Sequence, residues 1–233
     1  MATSAIAGKS AAALVLSRLH ARGLLPQVVD IGPGCGTYKL LMGGFLPGTR
    51  WIAVEIWGPY VKAYGLPALY DAVFVADARC FDFAAIPSGG AAVFGDVLEH
   101  IARDEAVGVV ERALARLDFA VLSVPTGNWP QGEVAGNPWE AHVAQWSLAE
   151  FEHAFPASWA GTINHQFNAD QGLAVAFLAG RPDLHRALTE IVAESNVVIQ
   201  EHPELVECGL DFCPYAANPV VRAKFLDAVS SYL

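Results

Sequence analysis

Five short and almost uninterrupted apolar runs recur through the first half of the chain: QVVDI (27–31), RWIAVE (50–55), AVFVAD (72–77), AAVFGD (91–96) and FAVLSV (119–124). Each is too brief for a helix and lacks the in–out alternation of a half-solvated strand, which marks it as a strand buried on both faces. The segments between them read as helices. The clearest follows the fourth run, where Ala106, Val109, Val110, Ala113, Leu114 and Leu117 recur at helical spacing and Asp104 is placed to cap the start. Strands and helices in alternation fold as a parallel, doubly wound sheet with right-handed crossovers and helices on both faces. At 233 residues, 54% hydrophobic and 16% charged, the chain is sized for one such domain with a small appendage.

In that architecture ligands bind outside the carboxyl ends of the strands. The first strand runs into Gly32, Gly34 and Gly36; the second ends on Glu55, the third on Asp77, the fourth on Asp96, and Pro125 opens the loop after the fifth. Glycine or acid therefore arrives on one rim from four successive strands. Three alternating glycines after a buried strand let the backbone turn sharply and bring amides against a ligand. Glu55 lies 19 residues beyond Gly36, a spacing at which a carboxylate accepts both hydroxyls of a ribose. Asp77 suits an exocyclic amine such as that of adenine, with the Ala78 backbone beside a ring nitrogen, or alternatively a helix N-cap. A dinucleotide loop would read G-x-G-x-x-G, whereas Thr37 occupies the last glycine position here.

After the fifth strand the texture changes. The segment PTGNWPQGEVAGNPWEAHVAQW (125–146) has no sustained period and holds three prolines, three glycines and three tryptophans, a composition expected of a lid or substrate wall. A helix is expected over 147–155 with Ser147 and Glu150 as a capping box. Two further strands, WAGTINHQF and LAVAFLAG, joined through NADQG, read as an antiparallel pair at the sheet edge. The tail from Arg181 reads as a helix, an irregular stretch and a last helix from about Asn218.

The net charge of −10, without a Lys/Arg cluster, argues against nucleic acid as a partner. The N-terminal run, interrupted by Lys9, Ser10, Ser17 and Arg18, is too polar to span a bilayer and reads as an amphipathic helix over 3–23. A cytoplasmic protein without membrane partners is expected. The four cysteines, Cys35, Cys80, Cys208 and Cys213, read as thiols, and the Cys208/Cys213 pair near His202 matches no strong metal spacing.

VVDIGPGCG (28–36), an acid closing strand two, VADA (75–78) and GDVLEHI (95–101) together resemble, in order and spacing, the class I S-adenosylmethionine-dependent methyltransferases over roughly Val28 to Val124. The resemblance implies a Rossmann-like, doubly wound, mostly parallel seven-stranded sheet with an antiparallel final pair, spanning residues 1–180, with 181–233 as a helical extension on the same domain. It implies S-adenosylmethionine as cofactor, with Asp30, Gly32, Gly34 and Gly36 around the methionine part, Glu55 on the ribose, Asp77 and Ala78 on the adenine, and Asp96 with Val97 beside the transferring methyl. The acceptor is then a small molecule, methylated on oxygen or nitrogen, a sugar or natural-product intermediate.

A hydroxyl acceptor needs a base, for which His142 stands first and His100 second, with Trp129, Asn137, Trp139, Glu140, His142 and Trp146 as the acceptor's wall. No metal requirement is expected, since Asp96, Glu99 and His100 lack identifiable further ligands. A homodimer through the tail is compatible with the pattern. Two other readings use the same sheet: an NAD(P)-dependent oxidoreductase, and a noncatalytic binding or scaffold protein.

Overall fold

The computed structural model describes residues 8–202, Leu205 and 218–233. Cys208, Cys213 and the first five residues of the expected N-terminal helix lie outside the described residues.

The five apolar runs form β1 (Gln27–Ile31), β2 (Arg50–Glu55), β3 (Ala72–Val75), β4 (Ala91–Gly95) and β5 (Phe119–Gly127); β6 (Trp159–Gln166) and β7 (Gln171–Ala179) complete one seven-stranded sheet. Its order is β3-β2-β1-β4-β5-β7-β6, parallel from β3 to β5 and antiparallel where β7 inserts between β5 and β6. The order reverses between β1 and β4, so a crevice opens where their carboxyl ends diverge. In-register pairing, Asp30 with Ala53 on one side and Val93 on the other, brings the ends of these strands level. The glycine loop, Glu55 and Asp96 thus share one rim.

Helices cover both faces because every residue of β1 and all but the first of β2 are buried, a pattern that leaves neither face to water. One apolar layer packs α1 (Lys9–Ala21), α7 (Pro182–Glu201) and α8 (Pro219–Ser230) through Leu14, Leu188, Ile191 and Phe225. The other holds α5 (Arg103–Leu114) and α6 (Leu148–Ala154) through Val109, Val110 and Phe151. Between β1 and β3 run α2 (Thr37–Met42), α3 (Gly58–Ala63) and α4 (Leu66–Leu69). Helix α6 carries the expected capping box, the Ser147 side chain accepting from the Glu150 amide while the Glu150 carboxylate accepts from the Ser147 amide. No described helix is long and apolar enough to cross a membrane.

Three expectations need correction. Asp104 sits in the first turn of α5, whose N-cap is Ala102, and makes no capping bond. Strand β5 runs three residues further than its apolar core, because Pro125, Thr126 and Gly127 pair with Leu173, Gly172 and Gln171 of β7. Strand β3, expected to be buried on both faces, is an edge strand paired only with β2 and is half-buried, with Val75 62% exposed.

Candidate active site

The chain leaves β1 through Gly32, Gly34 and Gly36, all left-handed at φ +61°, +53° and +82°, conformations that a side chain makes costly. The loop this permits turns back on β2. The Gly34 N–H donates to Glu55 Oε2 at 3.3 Å and the Trp57 N–H to Oε1 at 2.7 Å. Burial pushes the Glu55 carboxyl up to about 7, opposed by those two backbone donors. An ionised carboxylate has roughly four acceptor sites, so the two backbone donors leave about two.

Below the loop, Asp30 is buried and accepts from the Tyr70 hydroxyl at 2.6 Å. Burial pushes its carboxyl up to about 7 against the pull of Tyr70 and Lys9. Lys9, at the start of α1, is fully buried with Nζ 3.0 Å from Asp96 Oδ2 and 4.8 Å from the Tyr38 ring centre. Burial, the largest single influence, would depress its ammonium, but the charges and hydrogen bonds of Asp96 and Tyr38 together outweigh it and hold the pKa above the usual lysine range. Asp96 is held at φ +58°, accepts from Ser123 Oγ at 2.8 Å, and leaves its carboxylate 18% exposed. Gly95 before it is sterically required: a Cβ there would fall 2.0 Å from Tyr38 Cε2.

Asp77 lies on the same rim, but its carboxylate is taken by Arg79, whose Nε and Nη2 reach it at 2.7–3.0 Å. Burial works against its charge, and the Arg79 hydrogen bonds prevail, lowering the carboxyl below its ordinary value. Arg79 also sits 5.3 Å from the Trp139 ring, joining the end of β3 to the long loop. That loop is held by its own polar groups. Asn137 Oδ1 accepts from the Trp139 N–H at 3.0 Å, and the Val143 and Ala144 amides both donate to the Glu99 carbonyl at 2.9 and 3.0 Å. Two histidines meet where the loop docks. His142 Nδ1 bonds the Trp129 carbonyl at 2.5 Å, His100 Nδ1 the Ala141 carbonyl at 3.1 Å, and the rings stand 4.9 Å apart edge to face. Burial lowers both below the ordinary histidine value, opposed by those carbonyls.

These groups enclose one cavity of about 500 Å³. Asp30, Gly32, Gly34, Glu55, Asp77, Ala78, Asp96 and Val97 line it together with Trp129, Asn137, Trp139, Glu140, His142 and His100, and the Arg79–Trp139 contact brings the long loop over the Asp77 side. Two expected residues lie off it. Gly36 is the N-cap of α2, backed by Leu69. Trp146 is a core residue and not part of the acceptor's wall: it precedes the N-cap of α6, and its indole packs 5.5 Å from Phe151 in the buried layer. Sequence reasoning missed Lys9, Tyr38, Tyr60 and Arg79. The available signal for Lys9 was a single cation entering the apolar run SAAALVL.

No family model matches the sequence, and no curated protein matches it. Solved structures do. The N-terminal domain of EvdMO1 with SAH bound superposes at TM-score 0.56 with 14% identity, over 72% of this chain and 81% of that one. The same domain in the presence of SAH and D-fucose gives 0.56 and 14% over 72% and 83%. An inferred O-methyltransferase from Nostoc punctiforme gives 0.50 and 14% over 71% and 55%. The fold is that of the class I S-adenosylmethionine-dependent methyltransferases. The methyltransferase fold differs from the dinucleotide-binding order 3-2-1-4-5-6 in the antiparallel strand inserted beside β5, and β7 is such a strand.

Proposed function

We propose that this chain is a methyltransferase that carries the methyl group of S-adenosylmethionine to oxygen or nitrogen of a small molecule, a sugar or natural-product intermediate. One observation carries the reading: the glycine loop and Glu55 are joined by a hydrogen bond on the wall of a single cavity at the strand-order reversal. When bound, the cofactor supplies an activated methyl on a sulfonium, so the protein's part is to bind, align and deprotonate. Glu55 keeps acceptor sites for two ribose hydroxyls. The loop amides and Asp30 suit the methionine carboxylate and ammonium. Ala78 suits the adenine edge, and Asp77 joins it only by sharing its carboxylate with Arg79.

A wall carrying Asp30, Glu55, Asp77, Asp96 and Glu140 suits a cation. The part of the wall formed by Trp129 and the two histidines is left for the acceptor. The EvdMO1 domain crystallised in the presence of SAH and D-fucose supports a sugar-sized acceptor. Calorimetric titration of the folded protein with S-adenosylhomocysteine tests the reading. Saturable binding at one site supports it; no heat with S-adenosylhomocysteine or S-adenosylmethionine, together with binding of NADH, overturns it in favour of an oxidoreductase.

A further inference from the structure

Three side chains at the acceptor end have no task in binding the cofactor. Glu99, His100 and His142 each bring one ligand atom to within 4.8 Å of the other two, and all three line the cavity. Glu99 is 2% exposed, and among the described residues its Oε2 has no hydrogen-bond partner. A buried carboxylate oxygen without a partner is costly and is ordinarily explained by a missing ligand. The two rings are pinned in a complementary way. A carbonyl only accepts, so each Nδ1 bonded to one carries the hydrogen, and the neutral imidazole keeps its lone pair on Nε2. Metal-bound histidines are oriented by this same device, the second nitrogen donating to a backbone carbonyl. The distances are fixed from outside the site too, since the Val143 and Ala144 amides hang the loop on the Glu99 carbonyl, one residue from His142.

From this arrangement we infer that Glu99, His100 and His142 form a binding site for one divalent transition-metal cation. Two imidazoles and a carboxylate suit zinc, cobalt, iron(II) or manganese, whereas magnesium and calcium call for oxygen ligands throughout. Three protein ligands leave coordination positions that face the cavity. On the methyltransferase reading above, on which the role though not the site rests, the open position takes a hydroxyl of the acceptor. The bound hydroxyl sheds its proton to water, and its oxygen bonds the methyl carbon as the carbon–sulfur bond breaks, the electron pair remaining on sulfur. His142 is then a ligand and not the base expected from the sequence, and the expectation of no metal is reversed.

The test uses the full chain stripped with a chelator and titrated with Co²⁺ and Zn²⁺ by calorimetry, with the visible absorption of Co²⁺ as a reporter of its ligands. The expected result is one equivalent bound, visible bands of a histidine-ligated Co²⁺, and a rise in unfolding temperature with Zn²⁺. Glu99→Gln, nearly isosteric, and His142→Ala are each expected to weaken cation affinity by at least about tenfold to a hundredfold. Absence of saturable binding by the wild type, or affinity that survives both substitutions, overturns the site. S-adenosylhomocysteine is titrated alongside: a wild type that binds the cation but not this ligand keeps the metal site and loses the methyltransferase reading. Glu99→Gln protein that binds S-adenosylhomocysteine normally while losing the cation supports both.

Discussion

Glu55→Gln is the substitution that most directly tests the proposed cofactor site. The carboxylate accepts from the Gly34 and Trp57 amides and offers its remaining acceptor sites to two ribose hydroxyls. The amide keeps one acceptor oxygen and turns the other into a donor, which faces either a backbone N–H or a ribose hydroxyl. One charge-assisted hydrogen bond contributes roughly 1.5–3 kcal/mol, so the Kd for S-adenosylhomocysteine should rise by about tenfold to 150-fold at pH 8. A second measurement exploits the carboxyl's raised pKa of about 7.

Ribose hydroxyls donate to the ionised form, so binding selects it and apparent affinity scales with the ionised fraction. That fraction rises from about 0.09 at pH 6 to about 0.91 at pH 8 for a pKa near 7, so affinity should increase about tenfold over that interval as pH rises. Asp30 also titrates near 7 and adds its own dependence, which the variant retains. The difference between wild-type and variant slopes therefore isolates Glu55. Calorimetry at pH 6, 7 and 8, with far-UV circular dichroism to verify folding, gives both numbers. Equal affinity at pH 8, or superimposable pH slopes, would refute the assignment of Glu55 to the ribose.

Two further outcomes concern the frame of the site. Lys9→Met removes the buried partner of Asp96; full burial would cost about 3–5 kcal/mol, but Asp96 is 18% exposed and keeps Ser123, so about 2–3 kcal/mol is expected in urea denaturation. A loss within about 0.5 kcal/mol, the level of a surface substitution, would show that the pair contributes little. Gly95→Ala drives a methyl into the Tyr38 ring, 2.0 Å from Cε2, and should destabilise the fold by about 1–3 kcal/mol, a cost relieved when Tyr38→Ala is added. Additive effects of the two changes would mean that the ring is not what the methyl meets.

What the sequence discloses about this fold depends on whether a residue's environment is set locally. Strands β1, β2, β4 and β5 announce themselves because burial on both faces demands apolar side chains almost without interruption, β3 is as apolar although it is only half-buried at the sheet edge, and the rim acids follow because each terminates such a run. The extension of β5 hides behind Pro125, which reads as a loop because it cannot donate to a ladder, although its antiparallel pairing with Leu173 needs no donor there. Lys9 and Tyr70 were illegible for a different reason. Their partners Asp96 and Asp30 are 87 and 40 residues away, and no pattern in α1 or before β3 encodes those distances. Trp146 was misplaced because composition describes what a loop contains, whereas the residue after it, the N-cap Ser147, decides that the indole enters the core with Phe151.

The acceptor end shows most clearly how parts visible in sequence acquire their chemistry only in the fold. Glu99 and His100 stand together in GDVLEHI, and His142 stands in the long loop; read singly, each histidine is a candidate base. A base needs a lone pair aimed at a proton, and pinning Nδ1 on a carbonyl supplies one on each ring. Two such rings 4.9 Å apart, beside a carboxylate oxygen with no partner among the described residues, are more donors than one proton transfer uses. The surplus is removed if a cation gathers all three, and the loop's attachment to the Glu99 carbonyl then has a consequence for specificity. Any change that lifts residues 143 and 144 from that carbonyl moves His142 away from Glu99, so loop docking and cation affinity should fall together while the glycine loop and Glu55, which take no part in that attachment, still hold their ligand.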